Sequence, residues 1–304
     1  MNRTLIGIAL CVVLGRGVAF GVGAADIAQK AHNADKDVSY RGVKTASVSA
    51  NGATMSSVVK IVHLKPDMTR KEFFSPLALA GTILIMDGTD VWRYTPREGL
   101  WEQVRCESVG ECSPCSRALS NYDIQLVGTE KVAGRDTYLI RAIPRHPSDR
   151  THAMWVDKHC YLTLRTQTET VGGRVVSSSW FTTIEINPKD ISLSAFAVTG
   201  KVKTPTKPGR ADFQVRKPTY LPKGYRLVSV SRVSANCHYC AHLQFSNGAN
   251  TISLFERRTG VETAAPRVPD KLSTIVTWTR EGVLFTLIGD LSRDELKKIA
   301  DSTK

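Results

Sequence analysis

The sequence lacks the motifs of the common enzyme classes. It contains no GxSxG nucleophile turn, no phosphate-binding GxxxxGKS/T or GxGxxG loop, and no HExxH zinc motif. No nucleophile–base set and no pair of carboxylates stands out along the chain. These absences predict a binding protein that has no catalytic residues, no metal and no cofactor.

Acidic residues are few compared with basic ones. The chain of 304 residues has 28 Asp and Glu against 41 Lys and Arg, which gives a formal net charge of +13. Such a balance favours acidic partners, such as anionic lipid headgroups, an acidic protein segment or nucleic acid. The basic residues are scattered and do not concentrate on one predicted helix, so we expect no nucleic-acid partner.

Apolar runs that could enter a membrane are absent except at the N-terminus. Arg3, the apolar segment Leu5–Leu14 and the small residues of Gly21–Ala25 form the pattern of a secretory signal peptide. An uncleaved anchor would place Arg16 inside the membrane at a cost of roughly 2.5–3.5 kcal/mol on insertion scales. We therefore predict that residues 1–25 are a cleaved signal peptide and that the mature protein is exported.

The cysteines that follow the leader agree with export, because an even number in an exported chain favours disulfides. The favoured pairs are Cys237–Cys240, Cys112–Cys115 and Cys106–Cys160. A second arrangement pairs Cys115 with Cys160 and Cys106 with Cys112. Metal binding or thiol–disulfide exchange by the two CxxC pairs are alternatives. They are less favoured because the pairs fall in different predicted domains and Cys237 lies between strands.

Most of the chain alternates apolar and polar residues with the period of β-strands. A helix is predicted at Asp26–Asp37, and the hairpin signals Asn51–Gly52 and Asp87–Gly88 separate the strands that follow it. An unbroken antiparallel meander then runs from Tyr122 to Pro188. Strands of this number and length predict a large, strongly curved antiparallel sheet.

The last hairpin of the meander can take two registers, and a one-residue slip exchanges its faces. A two-residue loop of Gly172–Gly173 would put Trp180 on the face of Arg165. A three-residue loop from Gly172 to Arg174 would put Trp180 beside Leu162 and Leu164. We predict the three-residue loop.

The C-terminal third is predicted to be a separate, smaller domain. Thr199–Arg210 is rich in Lys and Pro and poor in apolar residues, which is typical of an extended linker. Further strands follow it, and the chain ends with a helix at Arg293–Asp301. Ser292 and Glu295 form a capping box at the start of this helix.

Several stretches resemble one known family. They are NYDIQLVGTEKVAGRDTYLIRAI, MWVDKHCYLTLRTQT and WFTTIEINPKDIS in the meander, then PTYLPKGYRL and TLIGDLSRDELKKIADS. In this order they are similar to the large and small domains of the RseB/MucB family, periplasmic regulators of the extracytoplasmic sigma-E stress response. The resemblance implies an α+β, mostly antiparallel β fold. A half-barrel like that of the lipoprotein carriers LolA and LolB, with covering helices, precedes a smaller β-sheet domain with a C-terminal helix.

The resemblance also implies domain bounds and a function. The large domain would span 26–198, the linker 199–210 and the small domain 211–304. The protein would be a periplasmic negative regulator that binds the periplasmic segment of a membrane-anchored anti-sigma factor and protects it from proteolysis. Lipid or lipopolysaccharide fragments in the large-domain cavity would loosen this grip, and self-association is compatible with it. A lipid or lipoprotein carrier of the LolA/LolB type is the alternative, but a carrier needs no second domain.

Two sets of residues are candidates for binding. Aromatic residues on predicted strands can line an apolar cavity, although most aromatic residues on strands belong to the ordinary core. The cavity candidates are Trp92, Tyr94, Trp101, Trp155, Trp180 and Phe181. The candidates for contact with an acidic partner are Lys223, Arg226, Arg232, Arg257 and Arg258. Charges of this second kind act mainly on the rate of encounter.

Overall fold

A computed structural model describes residues 23–50, 53–88, 90–104, 114–146, 149–203, 214–235, 238–259 and 274–304. The first of its two sheets has 11 strands in the order β6-β5-β4-β3-β2-β1-β11-β10-β9-β8-β7. They are β1 Tyr40–Ala50, β2 Ala53–Leu64, β3 Met68–Ser75, β4 Ile83–Asp87, β5 Asp90–Thr95, β6 Leu100–Val104, β7 Tyr122–Val132, β8 Arg135–Pro144, β9 Thr151–Asp157, β10 Thr163–Glu169 and β11 Val175–Ile186.

The large sheet curls around a helix. Its edge strand β7 comes into contact with β11, which is four places along the sheet. Helix α1, Ala24–Asp37, lies on the concave face, where Ile27 and Ala28 pack against Ile140 and Val156. A second helix, α2, spans Pro114–Asn121 beside β7. A 3₁₀ turn at Leu193–Phe196 follows the last strand of the sheet.

One pairing, that of β1 with β11, joins the two meanders of the large sheet. The register shifts between Val43 and Lys44, where the strands approach closely. A Cβ atom on Gly42 would lie 2.3 Å from the carbonyl oxygen of Thr183. Glycine is therefore required at this position for the two strands to pair as they do.

The predicted register of the β10–β11 hairpin is wrong. Trp180 is paired with Arg165, so it lies on the face of Arg165 and not beside Leu162. The loop does have three residues, Val171–Gly173, because the flanking residues bond across it. At a bulge between Thr168 and Glu169, one residue of the partner strand is left unpaired. This shift by one residue offsets the shift that the three-residue loop would give.

The second sheet has five strands in the order β12-β13-β14-β16-β15. They are β12 Arg226–Ala235, β13 His238–Ser246, β14 Thr251–Arg258, β15 Thr274–Arg280 and β16 Val283–Gly289. Helix α3, Arg293–Asp301, covers one face through Leu296 and Ile299, which are fully buried. Ser292 Oγ accepts from the N–H of Glu295 at 3.2 Å, which is the serine half of the predicted capping box. The Glu295 carboxylate accepts from Tyr220 and Lys298. The predicted fold class is confirmed: a large curved antiparallel sheet, then a smaller sheet with a C-terminal helix.

The first residues of the predicted linker lie along the edge strand β6. The backbone N–H of Trp101 donates to the carbonyl of Lys201 at 2.9 Å, and that of Lys203 donates back to Trp101 at 2.7 Å. The indole Nε1 of Trp101 donates to the carbonyl of Thr199 at 2.8 Å. Residues 204–210, the rest of the predicted linker, lie outside the described residues.

A substitution at Gly42 tests the close approach of β1 and β11. Gly42→Ala should lower the free energy of unfolding by about 1–3 kcal/mol, because the added methyl group must displace the Thr183 carbonyl. The matched control is Gly128→Ala on β7, where an added Cβ meets no atom within 4 Å. Urea denaturation followed by circular dichroism measures both changes. Equal stability of the two variants would contradict the close approach.

A buried carboxyl group gives the small domain a pH dependence. Glu256 is fully buried and accepts from the backbone N–H of Arg216 at 3.0 Å. Burial raises the pKa of Glu256 to about 7. Between the unfolded pKa of about 4.3 and this value, the folded state holds a proton that the unfolded state has released. The stability of the small domain should therefore fall by about 2–3 kcal/mol as the pH rises from 5 to 8.

Glu256→Gln removes this titration and should flatten the pH profile. Glu281→Gln is the control, because Glu281 is an exposed carboxylate paired with Arg216 and should keep the slope. Urea unfolding at several pH values gives the free energy for each variant. A slope that survives in Glu256→Gln would assign the pH dependence to other groups.

Candidate functional site

The concave face of the large sheet is apolar but carries two lysines. Val59, Ile61 and Phe181 are buried there, and Lys44 Nζ lies 5.2 Å from the centre of the Phe181 ring. Lys71 lies on the same face, because it pairs with Ile61 on the neighbouring strand. Burial, and then the charge of Lys71, lowers the pKa of Lys44. This surface can accommodate an apolar chain that ends in an anionic group.

The six aromatic candidates do not line this face together. Phe181 faces α1, whereas Trp155 and Trp180 lie on the opposite face, one on each side of Arg165. The Arg165 guanidinium is 4.1 Å from the centre of the Trp155 ring, and Trp155 Nε1 donates to Glu130 at 2.7 Å. Trp155 and Trp180 thus belong to a layer of long side chains outside the curl.

The other three aromatic candidates form a core at the β6 end of the sheet. Trp92, Tyr94 and Trp101 pack on the face away from α1, against Phe196 of the 3₁₀ turn. The strand register places them on this face. Tyr94 pairs with Trp101 across β5 and β6, whereas the neighbouring Arg93 lies on the concave face. The aromatic residues therefore do not share one cavity, and these three have the ordinary core role.

A cavity of about 370 Å³ lies on that outer face, between β2, β3 and the 3₁₀ turn. Its lining includes Lys60, Arg70 and Glu72 from the strands and Ala195 from the turn. Arg70 donates to the carbonyl of Ala195 at 3.3 Å and lies 3.7 Å from Glu72. Because the arginine is already paired on both sides, Lys60 carries the exposed positive charge of this cavity.

The basic candidates of the small domain form two groups. Lys223 and Arg226 are exposed at the end of the sheet that adjoins the large domain. Arg257 and the exposed Arg258 lie at the other end of β14. Arg232 pairs with Ala241 on the backbone, and its side chain lies outside the described residues. The structure therefore offers two basic regions and not one continuous patch.

Two of the cysteines predicted to form disulfides are described with their side chains, and both are free thiols. They are Cys160, which donates to Asp157 at 3.3 Å, and Cys240, whose thiol approaches the carbonyl of Ala241 at 3.7 Å. Burial raises the pKa of both thiols, which disfavours thiolate chemistry. The predicted pairs that contain these two residues, Cys237–Cys240 and Cys106–Cys160 or Cys115–Cys160, are therefore not formed in this structure. The side chains of Cys106, Cys112, Cys115 and Cys237 lie outside the described residues, so a pairing of Cys112 with Cys115 or with Cys106 stays a prediction.

Sequence reasoning missed a buried polar seam between the two sheets. It is centred on Asn247, in the β13–β14 turn, which is fully buried. The Asn247 side-chain amide donates to Asp149 at 3.0 Å and to the Tyr122 hydroxyl at 3.1 Å. The Asn247 backbone carbonyl accepts from the Asn121 amide at 2.8 Å. Two segments of the large domain, Asn121–Tyr122 and the loop with Asp149, thus converge on one turn of the small domain.

A second contact reinforces the seam. The hydroxyl of Tyr225, which precedes β12, donates to Asp149 at 3.1 Å. The Gly224 backbone also lies against the Asn121 side chain, since a Cβ on Gly224 would lie 2.4 Å from Asn121 Oδ1. Burial raises the pKa of Asp149, and the hydrogen bond from Tyr225 opposes this rise. Loss of these partners would leave the buried Asp149 carboxyl group without hydrogen bonds, which would destabilise the contact between the domains.

Comparison with known proteins gives the family. A model described as the MucB/RseB N-terminal domain matches residues 24–201, more than half of the chain. The chain belongs to the MucB/RseB family. Among curated relatives, the sigma-E factor regulatory protein RseB of Escherichia coli K12 is 25% identical over 193 residues. That alignment covers 60% of this chain and 59% of RseB, so the chain spans less than two thirds of this relative's length.

Solved structures of the family extend the likeness in fold to both domains. The Pseudomonas aeruginosa MucA/MucB complex matches with a TM-score of 0.66 at 16% identity, covering 92% of this chain and 98% of that one. A structure of MucB alone matches with a TM-score of 0.65 at 19% identity, covering 92% and 97%. Within the described ranges, no helix of this family member is long and apolar enough to cross a membrane.

Removal of one hydroxyl tests the seam. Tyr225→Phe leaves Asp149 with one fewer donor and should lower the free energy of unfolding by about 1–2 kcal/mol. Tyr220→Phe is the control, because that tyrosine is 39% exposed and bonds Glu295 at the surface. We expect the control to cost less than about 0.5 kcal/mol. Urea denaturation compares the two variants, and equal losses would show that the seam adds no stability.

Proposed function

We propose that this protein is a periplasmic negative regulator of a sigma-E-type envelope stress response. It acts by binding the periplasmic segment of a membrane-anchored anti-sigma factor and shields that segment from proteolysis. Lipid or lipopolysaccharide fragments that enter the large domain loosen the grip. The leader at residues 1–25 directs export and is then cleaved. The mature protein acts in the periplasm by binding, without catalysis.

The two-domain likeness to MucB carries the proposal. The family model covers the first domain, and the fold of MucB, which was solved in complex with MucA, matches along 92% of this chain. A carrier of single lipids or lipoproteins needs only the curled sheet. The presence of the matching second domain therefore favours a regulator that grips a protein segment over a carrier.

The concave face of the large domain supports a role in sensing lipid. Lys44 and Lys71 supply positive charge beside the buried Phe181, which suits an anionic headgroup attached to an acyl chain. A ligand shifts the equilibrium between bound and released states only by its difference in affinity for the two. The seam at Asn247 and Asp149 joins the two domains, and the proposal is that a ligand on the concave face acts on the small domain through it.

The proposal is tested with the anti-sigma segment itself. The tagged mature protein should capture a single-span membrane protein from detergent extracts of its own organism. It should also lengthen the half-life of the purified periplasmic segment of that protein in the presence of the protease that cleaves it. Added lipopolysaccharide should shorten the half-life again. If no single-span protein is captured, or if the segment is cut equally fast with and without the regulator, the proposal fails.

Charge reversal identifies the surface that meets the segment. The double variant Lys223→Glu, Arg226→Glu should lower the association rate about three- to tenfold at low salt, because exposed charges steer encounter. The double variant Arg293→Glu, Lys297→Glu is the matched control, since it reverses two exposed charges on α3. Surface plasmon resonance at two salt concentrations separates association from dissociation. An equal loss in the control would point to net charge alone.

A further inference from the structure

Six exposed apolar side chains gather at one end of the large sheet. The turns that join β3 to β4, β1 to β2 and β10 to β11 all lie at this end, and the sheet order makes them neighbours along its edge. We define the apolar rim as the exposed residues Met55, Phe74, Leu77, Leu79, Val171 and Val175. Leu77 is 92% exposed and Val171 is 73% exposed, so these side chains add little to the core.

The rim contains no carboxylate. The β3–β4 turn, residues 76–82, has no charged residue, and the β10–β11 turn contributes only the exposed Arg174. The nearby Glu169 is held by Arg141 at 2.5 Å and is largely buried. The first exposed carboxylate along the edge is Glu98, beside Arg97 in the next turn. In a chain of net charge +13, this rim suits an anionic, apolar environment.

The backbone of the β3–β4 turn is largely satisfied from within. The N–H groups of Leu79 and Ala80 donate to the carbonyl of Pro76 at 2.8 and 3.1 Å. The N–H of Thr82 donates to Leu79, and that of Gly81 donates to Phe73 at 2.8 Å. Backbone that is already bonded can leave water without the cost of unpaired amides.

The β10–β11 turn is closed in the same way. Gly173 donates to the carbonyl of Thr170 at 2.9 Å, and the Thr170 N–H donates to Arg174 at 2.9 Å. Neither turn offers a row of free backbone groups to which a partner strand could add. What the rim offers is protruding aliphatic side chains with one cation beside them, which is the chemistry of contact with a lipid surface.

We propose that the apolar rim docks this protein on the surface of an anionic lipid bilayer, with Leu77 and Leu79 entering between the headgroups. Leu77 and Leu79 lie in the β3–β4 turn, beyond the strands that carry Lys44 and Phe181, so docking through these leucines and the binding of a single lipid on the concave face are different events. Arg174 contributes attraction to anionic headgroups, and the leucines contribute apolar burial. Docking would keep the protein at the membrane, and it does not depend on whether an anti-sigma segment is bound.

Vesicle partition tests the rim. The mature full chain is mixed with vesicles of phosphatidylcholine plus phosphatidylglycerol, and the bound fraction is measured by flotation. The double variant Leu77→Asp, Leu79→Asp should partition roughly ten- to a hundredfold more weakly, because each leucine loses its transfer from water. The double variant Val127→Asp, Leu193→Asp is the matched control, since these side chains are 53% and 67% exposed on β7 and the 3₁₀ turn, away from the rim. It adds the same charge and should change partition less than about twofold.

Two further arms separate the rim from its alternatives. Vesicles of phosphatidylcholine alone should bind the wild type more weakly, and Arg174→Glu should reduce binding to the anionic vesicles. The double leucine variant should still protect the soluble anti-sigma segment.

Absence of wild-type partition, or equal partition of the double variant, would overturn the proposal. Loss of segment binding with unchanged partition would also overturn it, because the rim would then be a protein contact. Failure of wild-type protection with rim-dependent partition would leave docking supported and refute only the regulatory role.

Discussion

The large domain depends on the pairing of its first strand with its last. The register runs from Tyr40 opposite Ile186 to Val48 opposite Ser177, and most of the domain is the loop that this pairing closes. Closing so long a loop costs chain entropy before any contact offsets it. The exposed ion pair of Arg41 with Glu185 adds little, so burial of Phe181 against Tyr40 and the backbone ladder supply most of the stabilisation. The curvature of the large sheet and the position of α1 on its concave face follow from the pairing of β1 with β11.

The features that sequence predicted correctly depend on neighbours along the chain. The Ser292 cap at the start of α3 forms as expected, because it needs only a few local residues. Face assignment failed where bulges intervene. The bulge beside Glu169 turned Trp180 to the outer face, and no local signal in the sequence marks it. A prediction based on strict alternation cannot detect a residue that the ladder skips.

The polar seam could not be read from the sequence for a different reason. Asn247 and Asp149 look like ordinary turn residues, and only the docking of two domains brings them together. The buried acids of this protein also differ in how they are held. Burial alone would raise the pKa of Asp157, yet the Arg135 guanidinium and the N–H groups of its own turn lower it. For Glu256, burial outweighs both the hydrogen bond from the Arg216 backbone and the charge of Arg216, and its pKa stays raised.

The attachment of residues 199–203 to β6 has a geometric consequence for how the domains are connected. The chain leaves the large sheet at its β6 edge, whereas the small domain is seated beside β7, at the opposite edge. In a flat sheet of 11 strands these edges would be roughly 48 Å apart. The stretch from Lys203 to Gln214, even fully extended, reaches only about 38 Å. The tether is shorter than that span, so the curl of the first domain, which brings β7 towards β11, shortens the separation between the edge that holds the tether and the edge that holds the small domain.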